Sequence, residues 1–345
     1  MTDRIGDGGG SRALTAAFAI GGLVAARAFL RARRAYDLSG KVVLITGGGR
    51  GLGLVLAREF ARHGARVAIC ARDPRELERA RLGLASGGAE VLALQCDVTE
   101  RLQVDALVHD VMEKWGAIDV LVNNAGVIQV GPVRTITRED YEEALQTHFW
   151  GPLNTILATM PAMQARRAGR IVNISSVGGK ISVPHLLPYC ASKFALTGLS
   201  EGLRTELARD NVFVTTVCPG LMRTGSPRNA YFKGRHRAEY AWFSISDSTP
   251  LLSTSAEHAA RRIVVACQRG DPELILPFLT RMAVTVHGAL PGLTAEILSL
   301  VNRVLPEAGG VGTERVRGAE SESWLSPSPL TALGDRAAMA HNEIQ

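Results

Sequence analysis

From Leu38 onward, short apolar runs rich in β-branched residues alternate with longer stretches in which apolar residues recur at helical spacing. The short runs predict seven strands, at residues 42–46, 66–70, 91–96, 120–123, 170–175, 213–218 and 273–276. Strands that alternate with helices build a parallel sheet through right-handed crossovers, and the unbroken apolar runs indicate burial on both faces. With no internal repeat and no second core, the pattern predicts one α/β domain over residues 38–305, a doubly wound parallel sheet of about seven strands.

The first 37 residues lie outside this pattern and contain an apolar segment at residues 13–30. Only Thr15 and Arg27 interrupt the segment, and the arginine-rich stretch RARRAYD follows it. A spanning helix needs roughly 20 apolar residues, so a spanning anchor, an interfacial helix and a flexible tail all remain open. Because a basic flank stays on the cytoplasmic side of a membrane, we expect the domain in the cytoplasm or at the cytoplasmic face of a membrane.

The chain after the last predicted strand divides into two parts. Five apolar residues at helical spacing predict a helix that packs on its own domain: Leu293, Ile297, Leu300, Val301 and Val304. Beyond Pro306 the composition becomes rich in Gly, Ser, Glu and Ala, with little apolar periodicity. Residues 306–345 are therefore predicted to form a disordered tail.

Charge and cysteine content narrow the function classes. The 39 Lys and Arg residues exceed the 33 Asp and Glu residues, which gives a formal net charge of +6. Most basic residues are spread along the chain, whereas a nucleic-acid surface needs a clustered basic face, so we expect no nucleic-acid partner. The five cysteines form no CxxC pair and no Cys/His cluster with metal-ligand spacing. This pattern favours a reducing cytoplasm and predicts no metal site.

The first predicted strand runs directly into a glycine-rich loop that opens a helix. The loop reads Thr46-Gly47-Gly48-Gly49-Arg50-Gly51-Leu52-Gly53. Bare backbone lets a pyrophosphate approach, and the N–H groups of the first helical turn can receive its negative charge. The common GxGxxG fingerprint would need a glycine at Leu54, whereas TGxxxGxG fits. We interpret the loop as a phosphate-binding site; the alternative is a flexible turn before a helix.

Further motifs follow this loop in order along the chain. They are Asn123-Asn124-Ala125-Gly126 at the end of the fourth strand, Ser176, the YxxxK pair Tyr189 and Lys193, and Pro219-Gly220 with Thr224 after the sixth strand. Because these motifs occur together and in this order, residues 40–280 resemble the classical short-chain dehydrogenases/reductases. The resemblance implies a Rossmann-type fold, an NAD(P)-dependent oxidoreductase and a homo-oligomer. It also implies cofactor contacts from Asn123, Ala125, Gly126, Pro219, Gly220 and Thr224, the last at the nicotinamide carboxamide.

The YxxxK pair also has a chemical rationale of its own. Tyr189 and Lys193 are one helical turn apart and therefore share a face. A free phenol has a pKa of about 10, and a nearby ammonium together with an oxidised nicotinamide should lower it. Tyr189 is then the predicted general acid/base, and Ser176 is predicted to polarise the carbonyl by a hydrogen bond. The resemblance further implies that Lys193 binds the ribose hydroxyls of the cofactor.

The sequence departs from the family pattern at His148. Members of the family usually have Asn in the corresponding xxNxxG stretch, where it helps to hold a water that links the lysine to solvent. His148 is therefore a candidate catalytic residue in a proton relay, since imidazole passes protons near neutral pH. The alternative is a packed, hydrogen-bonded structural histidine.

Cofactor choice depends on the end of the second strand. An Asp or Glu that accepts the ribose 2′-OH of NAD is replaced there by Ala71, and Arg72 follows. Arg50 and Arg72 are predicted to clamp a 2′-phosphate, because guanidinium groups recognise phosphate with paired donors. NADP(H) is therefore favoured over NAD(H). Asp97 and Val98 resemble the adenine-contacting residues of the family.

The loops beyond the strand ends are expected to form the substrate pocket and therefore to determine the substrate class. Nine apolar or aromatic residues are predicted to line the pocket: Val183, Leu186, Leu187, Met222, Tyr231, Phe232, Tyr240, Trp242 and Phe243. They favour a small lipophilic carbonyl or alcohol substrate. One alternative function is a non-catalytic NADP(H)-binding sensor or scaffold protein, which only His148 supports. Another is a nucleotide-sugar epimerase or dehydratase, whose TGxxGxxG loop would need glycine at Arg50.

Overall fold

The computed structural model describes residues 21–22, 25–26, 28–29, 31–250 and 252–344. Its central sheet has seven parallel strands, which confirms the predicted fold class. The strands are β1 (Val42–Thr46), β2 (Arg66–Ala71), β3 (Val91–Gln95), β4 (Val120–Asn123), β5 (Gly169–Ile174), β6 (Val212–Pro219) and β7 (Glu273–Leu276). Their order across the sheet is β7-β6-β5-β4-β1-β2-β3. Because the order reverses between β1 and β4, a ligand site is expected at the carboxyl ends of these strands.

Helices follow the strands and cover both faces of the sheet. They are α1 (Gly51–Arg62), α2 (Pro74–Ser86), α3 (Arg101–Trp115), α4 (Arg138–Leu145), α5 (Gly151–Ala165), α6 (Leu187–Leu207), α7 (His236–Ser248), α8 (Ala256–Arg269), α9 (Phe278–Ala289), α10 (Pro291–Asn302) and α11 (Ala332–Ala340). Successive strand residues point to opposite faces, so Val43 and Ile45 pack with α1 and α8 while Val42 and Leu44 pack with α3 and α5. Each face of the sheet therefore has its own buried apolar cluster.

Short strands connect the loops at the carboxyl edge of the sheet. Gln129–Val130 pairs with Tyr231–Phe232, which also pairs with Val316–Arg317. A second small sheet joins Leu221–Arg223 to Ser253–Ser255. The loops after β4 and β6 are thus tied to the C-terminal part of the chain above the expected ligand site.

Helices α9 and α10 form a hairpin that stands away from the domain. No residue of either helix is buried. The exposed apolar side chains are Phe278, Leu279, Met282, Val286, Leu290, Leu293, Ile297, Leu300, Val301 and Val304. The prediction that this segment packs on its own domain is wrong, because the five side chains on which it rested are between 41% and 83% exposed.

The residues after the hairpin are folded, which contradicts the predicted disorder of the tail. Val316–Arg317 belongs to the three-stranded sheet, and the guanidinium of Arg315 lies 2.7 Å from Asp140 and 2.5 Å from Glu143. Helix α11 packs against the segment after β6, where a Cβ built on Gly225 would lie 2.4 Å from Cα of Ala338. Backbone pairing and ion pairs hold this part of the chain, so it needs little apolar periodicity.

The predicted apolar segment at residues 13–30 lies largely outside the described residues. After it, the Arg31 guanidinium donates two hydrogen bonds of 2.5 Å to the carboxylate of Asp271, just before β7. Arg170 at the start of β5 donates a hydrogen bond of 2.7 Å to the carbonyl of Arg34. Within the described ranges, no helix is long and apolar enough to cross a membrane.

Candidate active site

A cavity of about 1150 Å³ opens at the carboxyl ends of the strands. The glycine loop after β1 lines it, as do the ends of β2 and β3, the turn after β4, the loop after β5 and the turn after β6. The parallel sheet thus brings motifs that are far apart in sequence to one edge, where ligands bind in folds of this architecture.

The glycine loop is held to the turn after β4 by a set of short polar contacts. Thr46 Oγ1 accepts hydrogen bonds from the backbone N–H groups of Asn124 (3.0 Å) and Ala125 (3.1 Å). In return, Asn124 Nδ2 donates to the carbonyls of Thr46 (3.1 Å) and Gly47 (3.2 Å). A Cβ on Gly53 would lie 2.1 Å from the carbonyl oxygen of Gly47, so only glycine allows this close approach.

Ser176, Tyr189 and Lys193, which we call the catalytic cluster after their predicted role, all line the cavity. Ser176 follows β5, and its Oγ accepts a hydrogen bond of 3.0 Å from the backbone N–H of Gly178. The Ser176 hydroxyl is also near enough to the Tyr189 phenol to affect its pKa. Lys193 Nζ lies 5.6 Å from the centroid of the Tyr189 ring and donates a hydrogen bond of 2.8 Å to the Ile174 carbonyl. The three residues predicted to act together are therefore neighbours.

Burial sets the protonation states of this cluster. It raises the pKa of Tyr189 to about 12, and the nearby Ser176 hydroxyl offsets only part of that shift. Burial also lowers the pKa of Lys193 to about 7. In the chain alone, loss of hydration thus disfavours the phenolate more strongly than its neighbours stabilise it, and the lowered pKa expected beside an oxidised nicotinamide stays a prediction.

His148 is buried beside the cluster, in a π-helical turn between α4 and α5. Its Nε2 accepts a hydrogen bond of 3.1 Å from the backbone N–H of Val127, so Nδ1 carries the proton and donates to Ser192 Oγ at 2.8 Å. Its ring contacts the Tyr189 ring edge-on, with centroids 5.3 Å apart. Burial, with a smaller effect from Lys193, lowers the pKa of His148 well below 6.5. The imidazole is therefore neutral and both of its nitrogens are engaged.

The two predicted phosphate-binding arginines have different surroundings. The side chain of Arg72 is 62% exposed, with its NH1 4.0 Å from the nearer carboxylate oxygen of Asp97. Arg50 is instead paired with two acidic residues: NH1 lies 2.6 Å from Oε1 of Glu76, and Nε lies 3.3 Å from Oε2 of Glu343. Arg72 is thus open to an incoming anion, whereas Arg50 already has anionic partners.

Most residues predicted to bind the cofactor line the cavity. They are Gly47, Gly49, Arg50, Gly51, Leu52, Arg72, Asp97, Val98, Ala125, Gly126, Tyr189, Lys193, Pro219, Gly220 and Thr224. Thr46, Gly53 and Asn123 are not part of the wall; Thr46 and Gly53 shape the loop, as described above. Asn123 Nδ2 donates to Asn173 Oδ1 at 2.9 Å, which joins β4 to β5. These three residues therefore act on the shape of the site, and their direct contact with the cofactor stays a prediction.

The lining residues that were not predicted include Asn124, Asp247 and Glu343. Asn124 belongs to the motif after β4, so its position was a usable signal. Asp247 lies on α7 and accepts a hydrogen bond of 3.1 Å from the backbone N–H of Met222, and burial raises its pKa to about 7. Neither Asp247 nor Glu343 belongs to a motif, so only the folded chain reveals them.

The substrate end of the cavity is mostly apolar. Of the residues predicted to line it, the wall contains Val183, Leu186, Met222, Tyr231, Trp242 and Phe243. Phe232 and Tyr240 instead form a small buried cluster with Val130, with ring centroids 5.4 Å apart. Leu187 begins α6 and does not line the cavity.

The family model for short chain dehydrogenases matches residues 41–231. The chain belongs to this family. It is therefore an oxidoreductase that acts on CH–OH or C=O groups with a nicotinamide nucleotide. Among its relatives, a dehydrogenase/reductase SDR family protein 7-like of Anopheles gambiae is 34% identical over 267 residues, which cover 76% of this chain and 83% of the relative.

Solved structures of similar short-chain dehydrogenases contain either nicotinamide cofactor. One from Burkholderia phymatum, in complex with NAD, is 26% identical with a TM-score of 0.69 and covers 75% of this chain and 96% of its own. Actinorhodin polyketide ketoreductase with NADPH is 31% identical with a TM-score of 0.62 and covers 70% of this chain and 97% of its own. The likeness supports a dinucleotide cofactor and leaves the choice between the two forms to the residues of this chain.

Proposed function

We propose that this short-chain dehydrogenase interconverts a lipophilic ketone or aldehyde and its alcohol with NADP(H), using Tyr189 as general acid/base. The observation that carries the proposal is that Ser176, Tyr189 and Lys193 line one cavity together with the glycine loop. When bound, the nicotinamide donates a hydride in reduction or accepts one in oxidation.

The side chains of the protein supply the proton and align the substrate carbonyl. In reduction, the Ser176 hydroxyl donates a hydrogen bond to the carbonyl oxygen of the substrate, which polarises it. Tyr189 gives its phenolic proton to that oxygen as the carbon becomes an alcohol carbon, and the phenolate regains a proton from solvent. A phenol whose pKa is about 12 is fully protonated at neutral pH, which suits this step. Lys193 stabilises the transient phenolate and holds the ribose hydroxyls, and in oxidation the proton moves the opposite way.

His148 acts as a positioning residue in this proposal. Its two hydrogen bonds connect the turn after β4, through Val127, to Ser192 on α6, between Tyr189 and Lys193. A neutral imidazole with both nitrogens engaged has no free site for proton exchange, so the relay that the sequence suggested is not part of the proposal.

The preference for NADP(H) rests on the end of β2. Ala71 cannot accept a hydrogen bond from the ribose 2′-OH, and the adjacent Arg72 is exposed enough to receive a 2′-phosphate. Asp73 does not oppose this, because its carboxylate caps α2 by accepting from the N–H groups of Arg75 and Glu76. Arg72→Ala is therefore expected to weaken NADPH binding more than NADH binding.

The lipophilic substrate class is supported by the cavity lining and by the adjacent hairpin. The residues near the expected nicotinamide end include Val183, Leu186 and Met222. The base of the hairpin touches the turn after β6, since a Cβ on Gly220 would lie 2.2 Å from Thr280 Oγ1. An exposed apolar surface therefore begins beside the active-site cavity.

The test is oxidation of NADPH and of NADH by the full chain with a panel of lipophilic and polar ketones. We expect turnover that prefers NADPH and lipophilic ketones. Tyr189→Phe should abolish it, whereas Tyr141→Phe, a tyrosine of α4 outside the cavity wall, should not. Equal turnover with Tyr189→Phe would contradict the proposed acid/base, and binding of NADPH without turnover of any ketone would favour the sensor alternative.

We also propose that the hairpin contacts a lipid bilayer. From Met282 to Ala295 the chain contains no Asp, Glu, Lys or Arg, and its large apolar side chains are exposed. An exposed apolar segment without charged residues, flanked by basic residues, is typical of segments that bind at a bilayer interface. Arg281 and Arg303 at its base can contact anionic headgroups. The apolar segment at residues 13–30 would add to this attachment.

Site-specific labelling tests the hairpin contact independently of residues 13–30. An environment-sensitive fluorophore on Leu290→Cys should shift to shorter wavelength with anionic vesicles, and one on Leu102→Cys, an exposed leucine of α3, should not. Labelling is selective because the five native cysteines are buried. A shift at Leu290→Cys that depends on protein concentration without vesicles would instead identify a second copy of the chain as the partner.

A further inference from the structure

Three residues near the end of the chain, His341, Asn342 and Glu343, lie at the phosphate-binding end of the cavity; we call them the C-terminal strap. On one side the strap is bound to the glycine loop. The backbone N–H of Gly51 donates a hydrogen bond of 2.9 Å to the His341 carbonyl. Asn342 Nδ2 donates to the carbonyl of Gly49 at 2.7 Å.

On its other side the strap is bound to the segment after β6 and to α8. Asn229 Nδ2 donates a hydrogen bond of 2.6 Å to Oε2 of Glu343. The His341 ring lies 3.3 Å from the Thr224 carbonyl through Nδ1 and 2.8 Å from Glu257 Oε1 through Nε2. The strap therefore crosses from the glycine loop to the opposite wall of the cavity.

The carboxylate of Glu343 lies against the first residue of α1. A Cβ built on Gly51 would be 2.5 Å from Oε1 of Glu343, and Oε2 lies 3.3 Å from Nε of Arg50. Glu343 is only 6% exposed, so this contact is part of the packed structure. The N-terminus of a helix attracts anions through its free N–H groups and its dipole. The chain thus places its own carboxylate where a dinucleotide phosphate is expected.

We propose that Glu343 determines cofactor affinity, because its carboxylate competes with the phosphates of the dinucleotide for Arg50 and the N-terminus of α1. The strap must then shift when the cofactor binds. This inference rests on the proposed function for the identity of the ligand, a nicotinamide dinucleotide, and it applies to NADPH and NADH alike.

The competition should depend on pH. Burial raises the pKa of Glu343 to about 7. The charged groups that face the strap are Arg50 of the glycine loop, Arg58 of α1, Glu76 and Arg79 of α2, Asp247 of α7, and Glu257 of α8. Below that pKa the Glu343 carboxyl is neutral, and above it the carboxylate opposes phosphate. The difference in NADPH affinity between wild type and Glu343→Gln should therefore grow from about pH 6 to about pH 8.

Equilibrium titration of the full chain with NADPH and NADH tests the proposal without any turnover. Glu343→Gln keeps the shape of the side chain and removes its charge. At about pH 8, where wild-type Glu343 is ionised, we expect the Kd for both cofactors to fall about 5- to 10-fold, the effect of removing one nearby like charge. Glu320→Gln is the matched control, since Glu320 is an exposed acid of the same C-terminal region. Its Kd values should equal those of wild type.

Asn342→Ala provides a second variant, which retains Glu343 but loses the hydrogen bond to Gly49, and its Kd should also fall. Thermal unfolding of each variant verifies that it is folded. Unchanged Kd values in both variants would overturn the inference. Weaker cofactor binding by the variants would also overturn it, because it would mean that the strap helps to hold the cofactor. If wild type and both variants bind neither dinucleotide, the proposed function itself fails.

Discussion

The catalytic cluster and Glu343 of the C-terminal strap line the same cavity but are held there in different ways. Ser176, Tyr189 and Lys193 come from the end of β5 and from α6, which belong to the sheet and its covering helices. The strap comes from the last residues of the chain, and hydrogen bonds to Gly49, Gly51 and Asn229 hold it in place. The cluster is thus part of the apolar framework, whereas the strap is attached to it by polar contacts.

This difference predicts a division of labour within one cavity. Groups fixed by the core keep a constant geometry, which proton transfer and carbonyl polarisation require. A segment held by hydrogen bonds and ion pairs opens at lower free-energy cost and suits the control of cofactor entry. Changes in the cluster should therefore alter turnover, and changes in the strap should alter cofactor binding.

The largest effect is expected for Ser176→Ala. Loss of the hydroxyl that polarises the substrate should lower kcat about 10²- to 10³-fold, the usual effect of removing one such donor, while the NADPH Kd stays unchanged. Steady-state kinetics and NADPH titration measure the two quantities separately. Ser246→Ala, which alters another serine of the cavity wall, should retain activity. A large change in the NADPH affinity of Ser176→Ala would contradict the proposal that the cluster controls turnover and the strap controls cofactor binding.

His148→Leu should destabilise the framework that carries the cluster. It leaves the backbone N–H of Val127 and the Ser192 hydroxyl without their partner, at a cost of about 2 to 3 kcal/mol in the free energy of unfolding. His148→Asn, which restores an amide, should cost less. Chemical denaturation of the three proteins measures the difference, and equal stability would contradict the positioning role.

The same histidine predicts a pH dependence of stability. Burial lowers the pKa of His148 in the folded chain, whereas the unfolded chain takes up the proton near 6.5. Its stabilising contribution is therefore complete above about pH 6.5 and is lost as the pH falls. The stability advantage of wild type over His148→Asn should shrink between about pH 7 and about pH 5. A pH profile of kcat that loses a limb near neutral pH in His148→Asn would favour the proton relay instead.

Ala338→Leu should displace the strap from outside the cavity. Ala338 is fully buried on α11 against the segment after β6, and overpacking there typically costs about 1 to 3 kcal/mol. We expect a small loss of stability and tighter NADPH binding, in the same direction as Glu343→Gln. Ala340→Leu makes the same change at an exposed position of α11 and should leave both unchanged. Tighter NADPH binding by Ala340→Leu as well would contradict the idea that overpacking at Ala338 acts by displacing the strap.

The smallest effect is expected in the hairpin. Leu290 is 53% exposed between α9 and α10, so Leu290→Asp should alter the free energy of unfolding by less than about 0.5 kcal/mol. Urea denaturation in the absence of lipid measures this change. Strong destabilisation would show that the hairpin has a protein partner under those conditions, such as a second copy of the chain.

Much of the fold and the catalytic cluster could be predicted because their signals are local. Each predicted strand was found within two residues of its observed ends, since a strand buried on both faces must be apolar along its length. Tyr189 and Lys193 share a helix face by spacing alone, so their proximity needed no tertiary information. The burial that raises the pKa of Tyr189 in the chain alone was not predicted, because burial is a property of the folded chain.

The two segments after β7 mark the limit of such prediction. Apolar periodicity predicted that the helix with Leu293 to Val304 packs on its own domain and that the tail is disordered, and the structure contradicts both. Periodicity reports that a segment can bury a face, but whether a surface is available to cover it depends on the rest of the fold. The contacts of the tail are polar and reach partners far away in the chain, such as Asp140 for Arg315 and Gly51 for His341.

The sequence alone determined the parallel sheet, the glycine loop and the catalytic cluster, because apolar runs, bare backbone and helical spacing act over a few neighbouring residues. Only the tertiary structure decided that His148 has both nitrogens engaged, that the hairpin is exposed and that Glu343 reaches the N-terminus of α1. These features depend on burial and on contacts between residues remote in sequence, and no local pattern records either.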